Sequence, residues 1–119
     1  MPGVSSGKSI DPVTRNALAS FQKMLIARYG QQMKAFYLFG SRARGDHRPD
    51  SDVDVAVFLD HVTDPVGEQL ALIDEGYDIL LETGVSIQPW IFDGESLADP
   101  GHYPAPDLVT KIRREGVRL

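Results

Sequence analysis

The chain has no cysteine. That excludes disulfides, thiolate zinc sites and cysteine nucleophiles. It also has no apolar run of about 18 residues, the minimum for a helix that crosses a bilayer. The first residues, MPGVSSGKSIDP, lack the apolar centre of a secretion signal. These absences fit a cytoplasmic protein with no membrane contact. Basic charge is scarce as well: 12 Lys and Arg stand against 17 Asp and Glu, for a net charge of −5. A dedicated nucleic-acid binder carries a basic face, so direct nucleic-acid binding is not expected. Only Arg42, Arg44 and Arg48, and Lys111, Arg113, Arg114 and Arg118, make local basic groups. There is no repeat, heptad array or low-complexity block.

What remains is one domain's worth of ordinary globular sequence, 119 residues with 42% hydrophobic content. Residues 1–10 are small and polar and read as a flexible tail, with a single domain over 11–119. Within the tail, GVSSGKS resembles a phosphate-binding loop. Its glycine spacing is one residue short and no strand precedes it, so it is set aside. Asp11-Pro12 opens a helix that stops at Gly30, with Leu18, Phe21 and Leu25 on one face. KAFYLF, residues 34–39, reads as a buried strand. Residues 41–44 make a helical turn, and 45–51 are loop.

DVDVAVFL, residues 52–59, alternates as a second strand. Asp64-Pro65 opens another helix, and Val66, Leu70, Ile73, Tyr77 and Leu80 or Leu81 keep its period as far as Gly84. VSIQPWIF, residues 85–92, is a third strand, and Pro89 within it points to an edge strand or a bulge. A long loop over 93–104 and a last helix from Pro106 to Gly116 complete an α/β or α+β domain, one small sheet with helices packed on it.

The chemistry lies in GSRARGDHRPDSDVDVAVFL, residues 40–59. Strand alternation puts Asp52 and Asp54 on one face with α-carbons about 6.5–7 Å apart. Two carboxylates that close repel, and a divalent metal relieves the repulsion. Mg²⁺ takes one or two carboxylates plus phosphate oxygens and water. Such a pair is also common on an ordinary wet strand face. The preceding turn argues against that reading. Gly40 permits a sharp bend and close approach of a ligand to the main chain. Ser41 adds a hydroxyl, and Arg42 and Arg44 carry cationic forks suited to phosphate.

Gly40-Ser41, ten intervening residues and Asp52-Val53-Asp54 resemble the signature of the nucleotidyltransferase superfamily related to DNA polymerase beta. FGSRARG followed by SDVDVAV resembles its smallest branch, the minimal nucleotidyltransferases. The resemblance implies a small mixed sheet with helices on one side. It implies attack of a hydroxyl on the α-phosphate of a nucleoside triphosphate, here ATP. Gly40 and Ser41 would bind the β- and γ-phosphates, with Arg42 or Arg44 assisting. Asp52 and Asp54 would be the catalytic acids and the Mg²⁺ ligands.

Members of the branch are paired with small helical HEPN proteins as antitoxins, some of them transferring AMP to a tyrosine of the toxin. A chain this short has little surface of its own for gripping a large substrate, which fits recognition borrowed from a partner. Active relatives carry a third acid on the strand after the second helix. Here Ser86 aligns with it and Gln88 lies two residues on, so transfer is in doubt where nucleotide binding is not. An adenylyltransferase and a binding module without turnover both stand on these residues. Trp90, Phe92 and Tyr77 read as packing residues or an apolar patch for a partner, and His47, His61 and His102 as isolated surface groups.

Overall fold

Asp11 and Pro12 start the first helix as expected. The Asp11 carboxylate accepts the Thr14 N–H at 3.0 Å, and Pro12 fills the first helical position, whose N–H needs no partner. In the computed structural model, which describes residues 10–48, 50–103 and 105–119, this helix, α1, spans Pro12–Tyr29. GVSSGKS lies outside the described residues. α1 buries Ala17, Leu18, Phe21 and Leu25, and Gly30 ends it with a positive φ of 57°.

Four strands follow: β1 Met33–Phe39, β2 Val53–Leu59, β3 Ile87–Asp93 and the short β4 Val117–Arg118. They form one mixed sheet in the order β3-β2-β1-β4. β1 and β2 run antiparallel, β2 and β3 parallel, and β4 caps β1 antiparallel. The small mixed sheet of an α+β domain, read from the sequence, is what the chain forms. β3 is an edge strand, where its Pro89 costs no ladder bond on the open side.

β2 is the centre of the molecule. Val53, Val55, Val57 and Leu59 pack with Phe36 and Leu38 against Leu18, Phe21 and Leu25 of α1 and Leu72. Its other face carries Ala56 and Phe58, also fully buried. They pack with Ala35 against Val109 and Ile112 of the last helix, α5, Pro106–Glu115. The helices therefore do not all lie on one face. α5 crosses to the second face, where Phe58 and its stacked neighbour Phe92 would otherwise be wet.

Three shorter helices complete the chain: α2 Ser41–Arg44, α3 Pro65–Glu75 and α4 Tyr77–Thr83. The helix expected from Asp64 to Gly84 is thus two, divided at Gly76. A side chain at Gly76 would meet Phe21 at 3.2 Å, so glycine lets this joint sit on the core. The periodic row Val66, Leu70, Ile73, Tyr77 and Leu81 faces outward, with exposures of 64, 61, 40, 55 and 65%. The row that packs inward holds Leu72 and Ile79 instead. Periodicity identifies a helix but does not say which of two apolar rows meets the sheet.

α3 is held to α1 by polar contacts. The Tyr29 hydroxyl donates to Glu68 at 2.6 Å, and Arg28 reaches Glu75 at 3.1 Å. The expected loop over 93–104 contains two 3₁₀ turns, Gly94–Leu97 and Pro100–His102. Among the described residues no helix is long and apolar enough to cross a membrane.

Candidate active site

β1 ends at Phe39, which is paired in register with Asp54 of β2. The chain must then turn at once. Gly40 does so with φ 75° and ψ −153°, a conformation that side chains rarely adopt. The turn brings its α-carbon against the acid strand: a Cβ built on Gly40 would stand 2.7 Å from Asp54 Oδ2. Ser41 opens the four-residue α2, which is anchored by the buried Ala43 and closed by Gly45 at φ 83°. Glycine at position 40 thus serves both the bend and the approach. The turn and Asp54 face each other directly.

Asp54 is half-buried. Its Oδ1 accepts a hydrogen bond from the indole Nε1–H of Trp90 at 3.3 Å. Trp90 sits on β3 and is 42% exposed, so it is not a buried packing residue. Asp52 stands one residue ahead of β2 and is exposed. Strand alternation carries it to the face that bears Asp54.

The parallel register sets Gln88 of β3 level with Asp54. Ser86 lies before the strand, and its main-chain carbonyl accepts from the Val53 N–H at 2.8 Å. Of the two neutral residues where an acid was sought, Gln88 is therefore the neighbour of Asp54. Two carboxylates with a carboxamide level with one of them form a hard-oxygen set. That set suits Mg²⁺ when phosphate supplies further ligands. Among the described residues no group of three or more acids and histidines converges as a metal site on its own.

The arginines divide. The Arg42 side chain is only 9% exposed and turns into the protein. Its guanidinium donates to the Ser51 carbonyl at 2.8 Å and pairs with Asp11 at 3.7 Å. It ties the glycine turn to the loop that delivers Asp52 and to the start of α1. The Asp11 carboxyl is held below the usual carboxylate range, first by the Thr14 hydrogen bonds and to a lesser degree by Arg42. Arg44 is exposed and pairs with Asp46 at 3.2 Å.

Arg44 also lines a cleft of about 150 Å³ beside Gly40, floored by Phe39, Leu108 and Ile112 and flanked by Lys111 of α5. Lys111 near the turn was not legible in the sequence, because α5 reaches it by crossing the sheet. The larger cleft, about 450 Å³, is lined by Asp11, Arg42, Asp50, Ser51 and Ser86 and includes neither Asp52 nor Asp54. The smaller cleft, which Glu115 also lines, holds neither acid itself but includes Gly40, the residue that approaches Asp54. His47, expected at the surface, is half-buried, with no partner for Nδ1 among the described residues. His61 is exposed.

The model of the nucleotidyltransferase domain family matches residues 19–112, which include the glycine turn, both acids and all but the start of α1. The chain belongs to the nucleotidyltransferase domain family. Two solved structures share the domain's fold. One is a Sulfolobus solfataricus protein provisionally assigned as a nucleotidyltransferase, with TM-score 0.58 and 15% identity, covering 98% of this chain and 88% of that one. The other is a toxin–antitoxin structure with AMP-PNP, with TM-score 0.55 and 19% identity, covering 83% of this chain and 69% of that one. At such identities the likeness speaks for the fold alone. No curated protein matches this nucleotidyltransferase domain.

Proposed function

We propose that this nucleotidyltransferase domain binds Mg–ATP and transfers AMP to a hydroxyl of a partner protein, acting as the antitoxin to a small helical HEPN-type toxin. The close approach of Gly40 to Asp54 carries the reading, because it sets the turn that would grip a triphosphate beside one of the two acids. In this reading the Gly40-Ser41 turn grips the β- and γ-phosphates. Arg44 supplies positive charge at the mouth of the adjoining cleft. Arg42 serves the nucleotide indirectly, by holding the turn and the Ser51 carbonyl together.

Asp52 and Asp54 would hold Mg²⁺, which when bound neutralises phosphate charge. The acceptor oxygen forms a bond to the α-phosphorus, the bond to the bridging oxygen breaks, and pyrophosphate leaves. The acceptor hydroxyl gives its proton to solvent water, since Gln88 can take none. Trp90 holds the Asp54 carboxylate in place through that transfer. The fold likeness to a toxin–antitoxin structure with AMP-PNP supports the choice of nucleotide and the kind of partner.

A second reading has its own observation. Gln88, level with Asp54, can accept no proton and neutralises no charge. That favours a binding module that neutralises its partner by contact, with little or no transfer.

Titration calorimetry with Mg–ATP tests the shared first step. Wild type should release heat, and the double variant Asp52→Asn with Asp54→Asn should not. Equal heats would end both forms of the nucleotide reading. Mass spectrometry of the partner, co-expressed from the neighbouring reading frame, separates the two readings. An AMP adduct that vanishes with Asp52→Asn marks the enzyme, and inhibition without an adduct marks the binding module.

A further inference from the structure

The outward row on α3 and α4 has the geometry of a helix-packing seam. Val66, Leu70, Ile73 and Tyr77 keep the four-three-four spacing of a coiled-coil stripe, and Leu81 stands one helical turn beyond Tyr77. Single exposed leucines are ordinary on a protein surface, but five large apolar side chains in one line are not. Each is at least 40% exposed, and none belongs to either hydrophobic core. The two helices meet at Gly76, with Val66, Leu70 and Ile73 on α3 and Tyr77 and Leu81 on α4.

Beside the seam runs a row of charge. Asp74, Asp78 and Glu82 each follow a seam residue by one position, which places them a hundred degrees further round the same helical surface. All three are exposed, and none of their carboxylates makes an ion pair or hydrogen bond among the described residues. Glu68 and Glu75 differ, since Arg28 and Tyr29 hold them. Residues 65–83 hold these five acids and not one lysine, arginine or histidine. The surface is an apolar seam with an unneutralised acidic flank.

We infer that this surface docks an amphipathic helix of a partner protein that carries an apolar seam and a flanking row of lysine or arginine. Such a helix buries the seam and pairs with the acidic row, so electrostatics sets both the partner and its orientation. A second copy of this chain is the poorer occupant. Each copy carries a net charge of −5, and in an antiparallel two-fold pairing the same flank meets itself, acid row on acid row. The inference shares with the proposed function only the presence of a protein partner. Its test contains no nucleotide, so the two can fail separately.

The probe is a fluorescently labelled synthetic peptide of about three heptads, with leucine at the seam and lysine on the flanks. A second peptide has glutamate on the flanks. Anisotropy is read at roughly 0.15 M salt, where exposed charges are largely screened beyond about 8 Å. The lysine-flanked peptide should bind and the glutamate-flanked one should not. Leu70→Asp with Leu81→Asp, both at exposed positions, should weaken binding by about tenfold or more. The triple variant Asp74→Lys, Asp78→Lys and Glu82→Lys should reverse the preference between the two peptides. The inference is overturned if neither peptide binds wild type or if the seam variant binds as well as wild type. It is also overturned if the charge reversal leaves the preference unchanged, or if sedimentation shows a wild-type dimer that Leu70→Asp dissolves.

Discussion

Gly40 and Asp54 touch across the β1–β2 pair: a methyl group added to the glycine would stand 2.7 Å from the carboxylate oxygen. They are 14 residues apart in the chain, and each limits the other. The glycine can turn at φ 75° only without a side chain, and the acid can stand at the turn only while that space is empty.

Gly40→Ala should therefore cost twice. The positive-φ, extended-ψ backbone, a region almost reserved for glycine, alone costs alanine about 1–3 kcal/mol. The added carbon also forces Asp54 to move. Urea unfolding should show the loss of stability, and calorimetry should show Mg–ATP binding weakened beyond it. Unchanged affinity in a folded Gly40→Ala variant would mean that the crevice is not where the triphosphate lies.

Trp90 supplies a second check, because it is the single tryptophan of the chain and donates to Asp54. Its emission should change on addition of Mg–ATP. Trp90→Phe keeps the ring and removes the donor. A hydrogen bond of this kind contributes about 0.5–1.5 kcal/mol net, so Mg–ATP affinity should fall roughly two- to tenfold. Calorimetric binding with no change in wild-type emission would count against Asp54 as part of the nucleotide site.

Gln88→Glu should place a third acid beside Asp54. General-base help is worth roughly 10²–10⁴-fold, so AMP transfer should rise by at least about tenfold. Ser86→Asp should do less, because Ser86 lies before β3 while Gln88 pairs with Asp54. Rates measured on the partner protein decide this. Equal rates in both variants and wild type, with Mg–ATP still bound, would show that an absent acid is not what limits transfer.

Alkaline titration tests the tie between α1 and α3. Burial, with help from the hydrogen bond to Glu68, pushes the Tyr29 hydroxyl up to about 12. The exposed Tyr103 is pushed to about 12 by its bond to Glu95. An unfolded tyrosine titrates near 10 (approximately). The folded state thus holds the Tyr29 proton more tightly. Its contribution to stability is complete below about pH 10 and is lost as pH rises through about 12. Of the four tyrosines, these two should ionise late, and Tyr29→Phe should remove one late step and lessen the alkaline loss of stability. Four tyrosines ionising together near the ordinary value would deny the Tyr29–Glu68 contact.

The amino-acid sequence alone determined whatever neighbouring residues decide. Asp11-Pro12 and Asp64-Pro65 cap helices through their own short-range hydrogen bonds. Alternation in residues 53–59 makes a strand, and the glycine at 40 permits a bend few other residues allow. The glycine–serine turn and the acid pair were legible for that reason, and with them the family. Tertiary structure alone decided the rest, because those features depend on strand register and on which side each helix packs. The register of β3 on β2 gave Asp54 its neighbours Gln88 and Trp90, the latter 36 residues away. The inward row of α3 and α4 was chosen by Phe21 and the sheet, which left the more regular apolar row facing water. The packing of α2 turned Arg42 toward Asp11 and Ser51, and the crossing of α5 brought Lys111 to the glycine turn. No local pattern carries that information, since each of these contacts is a meeting of segments that the chain itself keeps apart.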